Sequence, residues 1–553
     1  MMEAMDPTHR PAEHADPSPP YPPKGIGGAG SPLVDSMRVQ HETRITARGN
    51  PITPPDPGTP GSRRVALFLA ILFAVLAIGW QNLPEDLQRR VVFAPPQAVP
   101  MPDPAAAAPG GVGEVMARVY FKFLSSPQFR PVLVQNPSQA RDIVDQVEEM
   151  SVGVPADRVR AVMLAGEMLG AEEALARIEA AREAIESEWA ANDRTRDTEH
   201  PEDEWEAIRA ERELVRGDLG VLETLYRDGP DALDDQARAR LENRYGDIGV
   251  YASTLGRPAE DRPDVFGSPW PMVLVLLGVG FLLLFGLLGG GAMLVIGLVW
   301  FWSGRRRLRM SVAEPGGSVM LETYALFLAG FFVYVVGVTA VRYHLPPQYT
   351  MPALLLQWLL ILVPFWALLR GMPGQTFREA IGLHRGTGLL REIGAGLLVY
   401  LASVPVFMFG VMISAVLMFL WGLAREAMGL NPPPTPSNPI VELAGSGNIV
   451  VILFLFTLAT IWAPITEELI FRGALYRHAR SRMGWFWAAL VTALLFAYMH
   501  SYGPLMVGPL IALGFMFAFM REWRGSIIPS MTAHFVHNFT VLTVLLAVLA
   551  TLY

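Results

Sequence analysis

Apolar residues gather in two places along the 553-residue chain, in one run at 65–80 and in a series of runs from about 269 to the end. The later runs fall near 271–302, 319–341, 351–369, 392–422, 447–477, 485–500, 505–520 and 527–551. Several reach the ~20 residues that a helix needs to cross a bilayer. With the first run they make about nine spans, so the chain reads as an all-α, polytopic transmembrane helical bundle. Two runs are overlong. As a straight helix 271–302 would extend ~48 Å, so it tilts, protrudes or breaks near Gly289-Gly290-Gly291. The run 392–422 contains Pro405, a natural kink.

Between the first run and the rest, the pattern changes period. Residues 111–262 recur in apolar positions at three and four, with helices expected over 155–190, 203–228 and 233–253 and a break at Gly170. This segment carries a clear excess of acids over bases and reads as a soluble acidic helical domain, a spacer or docking module for a protein partner. Residues 1–64 are rich in Pro, Gly, Ser and charge, which predicts a disordered tail. Residues 65–80 follow Arg63-Arg64 and begin too late for a secretory signal, so they read as a retained anchor. A Pro/Ala linker spans 94–110, and the multi-pass domain runs from 269 to 553.

Charge then sets orientation. With Arg63-Arg64 in the cytoplasm, the helical domain lies outside. The clusters 305-RRRLR-309, Arg370 to Arg391, Arg477 to Arg482 and 521-REWR-524 all fall inside, and 431-NPPPTPSNP-439 lies outside. The expected location is a bacterial cytoplasmic membrane, on the strength of the Ala/Arg-rich composition, with a cytoplasmic N-terminus. The acidic domain and the net charge of −8 argue against nucleic acid as a partner. The absence of cysteine excludes disulfides, thiolate metal sites and a Cys nucleophile.

The exception to the apolar pattern is 463-APITEELIFRGALYR-477, which places three charges within six residues of an otherwise membrane-like run. Each charge costs at least ~2.5–3.5 kcal/mol near a bilayer centre on insertion scales. Glu468 and Arg472 are four apart on a helix, in the favourable acid-first order. Glu467 points about 100° away and has no partner in its own helix. An unpaired buried carboxylate suits general-base work.

The following spans hold matching polar groups. The stretch 494-LLFAYMH-500 ends in His500, with Phe496 one turn earlier. The stretch 531-MTAHFVHNF-539 places His534 and Asn538 four apart, with His537 near the same stripe. Measured from the basic turn near 482–485, Glu467 and His500 each lie ~22 Å along their helices, whereas His534 lies only ~13 Å from the turn near 525. The depth match is good for His500 and loose for His534. Two carboxylates, two or three imidazoles and an amide on consecutive spans fit hydrolysis, with a carboxylate activating water, imidazoles polarising a carbonyl or binding a metal, and the amide facing the oxyanion.

The motifs EELIFR (467–472), FAYMH (496–500) and HFVHN (534–538) fit the pattern EExxxR, FxxxH and HxxxN. Over about 320–551 the chain therefore resembles the CAAX-protease and bacteriocin-processing (CPBP, or Abi) family of intramembrane endopeptidases. The resemblance implies that Glu467 activates water, that Glu468 supports it, and that His500, His534 and Asn538 stabilise the transition state, with Arg472 and Phe496 in structural support. His537 is a non-motif neighbour. There is no HExxH, and the ligand set is compatible with a divalent metal such as zinc or with none, so the cofactor stays open. The implied substrate is a membrane-associated peptide or protein. The tail, anchor and external domain lie outside the family's core and imply a specialised substrate or partner; prenylated CAAX substrates gain no support from them. Two other readings use the same residues. One is a non-catalytic membrane scaffold acting through its external helical domain. The other, a proton-coupled transporter, lacks the inverted repeat such proteins carry.

Overall fold

The computed structural model describes residues 45–46, 50–94, 102–103, 105–108, 110–151, 154–193, 202–304, 308–428, 449–500 and 502–552. The tail before residue 45, much of the 94–110 linker, the cluster 305–307, the 431–439 segment and Ser501 lie outside these residues.

The tail expected to be disordered through residue 64 is ordered from Asn50 onward. β1 (Ile52–Thr53) pairs in parallel with β2 (Val312–Ala313). Asn50 is fully buried, and its amide donates to the Met310 carbonyl and to Glu522, both at 3.0 Å. Asp56 is gripped by two nitrogens of Arg477, at 3.0 and 2.8 Å. A Pro-rich segment is extended whether free or docked, and its docking partner Met310 lies 260 residues away. Local composition therefore cannot reveal this strap.

α1 (Pro60–Gln81) starts at a proline, whose missing N–H costs nothing at that position. Thr59 and Ser62 cap it reciprocally, each side chain accepting from the other's backbone N–H. Ala66, Ala70, Ala74 and Ala77 form a small-residue stripe buried against Leu321, Tyr324, Ala325 and Leu328. Helices in lipid gain little from burying apolar area, so small side chains that allow close approach supply the packing.

After α2 (Glu85–Val91) come the helices of residues 112–252: α3 (Val112–Leu124), α4 (Arg130–Val134), α5 (Pro137–Met150), α6 (Pro155–Leu169), α7 (Ala171–Asp193), α8 (Glu202–Asp228), α9 (Asp235–Tyr245) and α10 (Asp247–Ala252). Gly170, at φ +92°, separates α6 from α7, a backbone angle that L side chains rarely adopt. Phe121, Leu164, Leu222 and Leu241 are wholly buried in a core of their own, each contributing ~1.5–3 kcal/mol. The buried Asp218 is satisfied by Arg240, Arg244 and Tyr245 at 2.6–2.7 Å.

The remaining helices are α11 (Trp270–Trp302), α12 (Val319–His344), α13 (Thr350–Leu369), α14 (Gly374–Ile381), α15 (Leu389–Ala427), α16 (Ile449–Arg480), α17 (Trp485–Tyr498), α18 (Gly508–Arg524) and α19 (Ile528–Leu552). Among the described residues seven helices are long and apolar enough to cross a membrane: α1, α11, α12, α13, α15, α16 and α19. That is two fewer than the nine expected: α17 is apolar but has only 14 residues, and α18 has 17. α11 does not break at its glycine run. A Cβ on Gly290 would lie 2.2 Å from the Leu401 carbonyl oxygen, so the glycines let α11 and α15 approach backbone to backbone.

The helix ends form two groups. At one end, Arg309 and Met310 donate from their N–H groups to the Glu522 carbonyl, Ile527 donates to Gly382, and Arg482 donates to Gly317, with the strap among them. At the other end, His344 contacts the Val92 carbonyl, and the C-terminal helix α19 meets α3.

Candidate active site

α16 is not a uniform helix. Leu458–Trp462 and Glu468–Leu475 have wide turns, in which carbonyls are directed at the N–H five residues on, and a normal α-helical stretch, Ala463–Glu467, separates them. Such insertions occur often at functional sites. The cause is visible in the sequence. The wide turn aims the Ala459 carbonyl at residue 464, which is a proline and has no N–H to give. The amide of Asn538 fills that vacancy, donating to the Ala459 oxygen at 2.7 Å.

The second wide turn carries the charges. Glu468 is fully buried and Arg472 nearly so, and the two pair at 3.0 Å as their spacing predicts. The same carboxylate oxygen, Oε1, lies 3.1 Å from Nδ1 of His534 on α19. The other ring nitrogen, Nε2, lies 3.8 Å from Oε2 of Glu467. His534 therefore stands between the two glutamates. One ring nitrogen thus faces each carboxylate, Nδ1 toward Glu468 and Nε2 toward Glu467. The side chain of Glu467 is 15% exposed against 0% for Glu468. Oε2 of each glutamate accepts no hydrogen bond from the described residues.

Aromatic rings fix this arrangement. Phe517 of α18 stacks on His534 with centroids 5.2 Å apart, and Phe496 of α17 meets the same ring edge-on at 6.0 Å. The Arg472 guanidinium lies 4.3 Å from the centre of Phe496 and 5.2 Å from that of Phe517, and donates to the Gly514 carbonyl at 3.3 Å. Desolvated cation–π contacts of this kind contribute ~2 kcal/mol. Phe496 thus serves both arginine and histidine. Phe517 and Gly514 are additions that sequence reasoning missed, since α18 carries no polar signal at those positions.

The other site residues are placed differently. His500, just beyond the end of α17, points Nδ1 at the Phe496 carbonyl at 2.9 Å and packs on the Phe496 ring at 4.9 Å. No hydrogen bond or ion pair joins it to either glutamate among the described residues. The depth match is the better one for His500, yet it is His534 that contacts the glutamates among the described residues. His537 turns toward α15, with Nδ1 3.3 Å from the Tyr400 hydroxyl and its ring 5.4 Å from Phe407. Among the described residues no three His, Asp or Glu side chains converge as metal ligands.

Residues 449–540 match the protein-family model described as Rce1-like, type II CAAX prenyl endopeptidase. The matched segment spans α16 to the middle of α19 and contains every site residue named above, in agreement with the resemblance carried by the three motifs. No curated protein and no solved structure matches the chain.

Proposed function

We propose that the chain is an intramembrane endopeptidase that hydrolyses a peptide bond of a membrane-associated peptide or protein. The observation that carries the reading is His534 standing between Glu468, which is paired with Arg472, and Glu467, which has no arginine partner among the described residues and is the more exposed of the two. Glu467 takes a proton from a water molecule as its oxygen adds to the scissile carbonyl carbon. Glu468 holds the His534 ring by Nδ1 and so fixes its other edge beside the carbon under attack, where the ring orients the substrate and Glu467. As the C–N bond breaks, the proton held by Glu467 passes to the leaving nitrogen, giving a carboxylic acid and an amine. Asn538 spends one N–H on Ala459 and keeps a second, and His500 borders the site through Phe496. The basic end of the bundle lies in the cytoplasm by the positive-inside rule, the strap with it, and residues 112–252 lie on the opposite side as a docking module.

The competing scaffold reading treats Glu468, Arg472 and His534 as an ion cluster that joins helices, with Glu467 at its edge; it gives no role to a second carboxylate that has no arginine partner. The test compares membrane proteomes of cells carrying the wild type and Glu467→Ala at equal abundance, with new protein termini mapped. Termini that vanish only in the variant support the peptidase and name its substrates. Unchanged termini sink it and leave the scaffold.

A further inference from the structure

Where the helical domain joins α11 there is a cleft of about 830 Å³. Three arginines line it, Arg130, Arg257 and Arg262, against one carboxylate, Asp264. Arg262 cannot swing away. It lies 3.7 Å from the Tyr251 ring centre, and it donates to the Tyr251 carbonyl at 2.8 Å and to Glu167 at 3.0 Å. Arg130 donates to Glu167 as well, at 3.0 Å, and its side chain stays 33% exposed while that of Glu167 is 1% exposed. Two guanidinium groups thus share one carboxylate set behind them. Arg257 pairs with Asp231, whose side chain is 89% exposed, and a pair so exposed holds an arginine weakly.

The position of the cleft says which anion it meets. Trp270, part of the lining, is the first residue of the 33-residue apolar helix α11. Its ring packs 5.3 Å from Phe129, which in turn packs 5.3 Å from Phe123. Aromatic residues at the start of a span mark the level of the lipid headgroups. One and two turns further along, Leu274 and Leu277 are each 65% exposed, an apolar face that acyl chains cover. Ser126 and Ser268 add hydroxyl groups to the lining.

We propose that this cleft binds the phosphate diester of an anionic glycerophospholipid, with Arg130 and Arg257 as the anion contacts and the acyl chains along α11. The site joins the domain to the membrane surface, and it stands whether or not the chain is a peptidase. The headgroup's chemistry is shared with free phosphate, and location separates the two, because only the lipid also uses the α11 face.

The test is native mass spectrometry of the full chain released from nanodiscs made of equal parts phosphatidylglycerol and phosphatidylcholine. One phosphatidylglycerol retained in preference is expected, with the preference reduced about tenfold in Arg130→Gln/Arg257→Gln. Equal retention of both lipids, or an unchanged preference in the variant, overturns the proposal. Displacement of the lipid by millimolar inorganic phosphate overturns the lipid assignment in favour of a small anion. Should Arg130→Gln disturb the fold through Glu167, Arg257→Gln alone, which touches only an exposed carboxylate, carries the test with a smaller loss of preference.

Discussion

Asn538 donates to the carbonyl of Ala459, the one carbonyl in the first wide turn of α16 whose partner N–H is replaced by the ring of Pro464. A motif asparagine thereby closes a gap that a motif-adjacent proline opens, and it ties α19 to the helix bearing both glutamates.

Asn538→Ala leaves that carbonyl unmade in an apolar setting and is expected to cost ~1–3 kcal/mol, read as a lower melting temperature in detergent. In a Pro464→Ala background the backbone regains its donor. The same substitution should then cost measurably less, and equal costs in both backgrounds would refute the pairing.

The two glutamates should fail in different ways. Glu468→Gln leaves Arg472 buried and unpaired, a defect of ~3–5 kcal/mol, so folded protein should fall sharply in size-exclusion yield. Glu467→Gln removes no partner of Arg472 and should change stability by ~1 kcal/mol or less while abolishing processing. Equal loss of folded protein in both variants would place Glu467 in the structural cluster.

The strap depends on Asp56. Asp56→Ala leaves Arg477, which is 3% exposed, without its ion-pair partner and removes the two-nitrogen grip that a carboxylate suits best. Limited proteolysis should then cut between residues 50 and 60 much faster than in the wild type, with the transmembrane helices intact. Unchanged protection would mean that Asn50 and the β1–β2 pairing suffice.

A pH dependence follows from His384, in the loop between α14 and α15. Burial holds its pKa below the usual 6.5, and the Arg521 guanidinium lowers it further, against weaker opposing effects of the Gly525 backbone, Glu392 and Glu379. Its Nδ1 also accepts from the Gly386 N–H at 3.1 Å, which protonation would end. The folded pKa lies below the unfolded one, so this contribution is present above pH ~6.5 and lost as pH falls through the lowered value. Melting temperature should drop on acidification from pH 7.5 to 5, less so in His384→Gln, and parallel curves would exclude this residue as the cause.

Much of this molecule can be read from spacing alone. Runs of ~20 apolar residues announce the spans, and the four-residue separation of Glu468 and Arg472 announces their ion pair, met at 3.0 Å. What spacing does not give is the partner of each side chain. α16 contains two wide turns and α17 stops at Tyr498, and depth along regular helices cannot say that His534 is the histidine between the glutamates. The glycines of α11 read as a break when seen along one helix, and as a contact only once α15 is beside them. The strap is invisible for a related reason: Asn50 and Asp56 look like ordinary turn residues until Glu522 and Arg477, more than four hundred positions on, complete them.

α19 carries His534 and Asn538 in its first half and also meets α3 of the helices of residues 112–252. Eighteen residues separate His534 from Leu552, ~27 Å of helix. Whatever tilts or turns this helix at its contact with α3 is carried along the same rigid rod that holds His534 between Glu467 and Glu468.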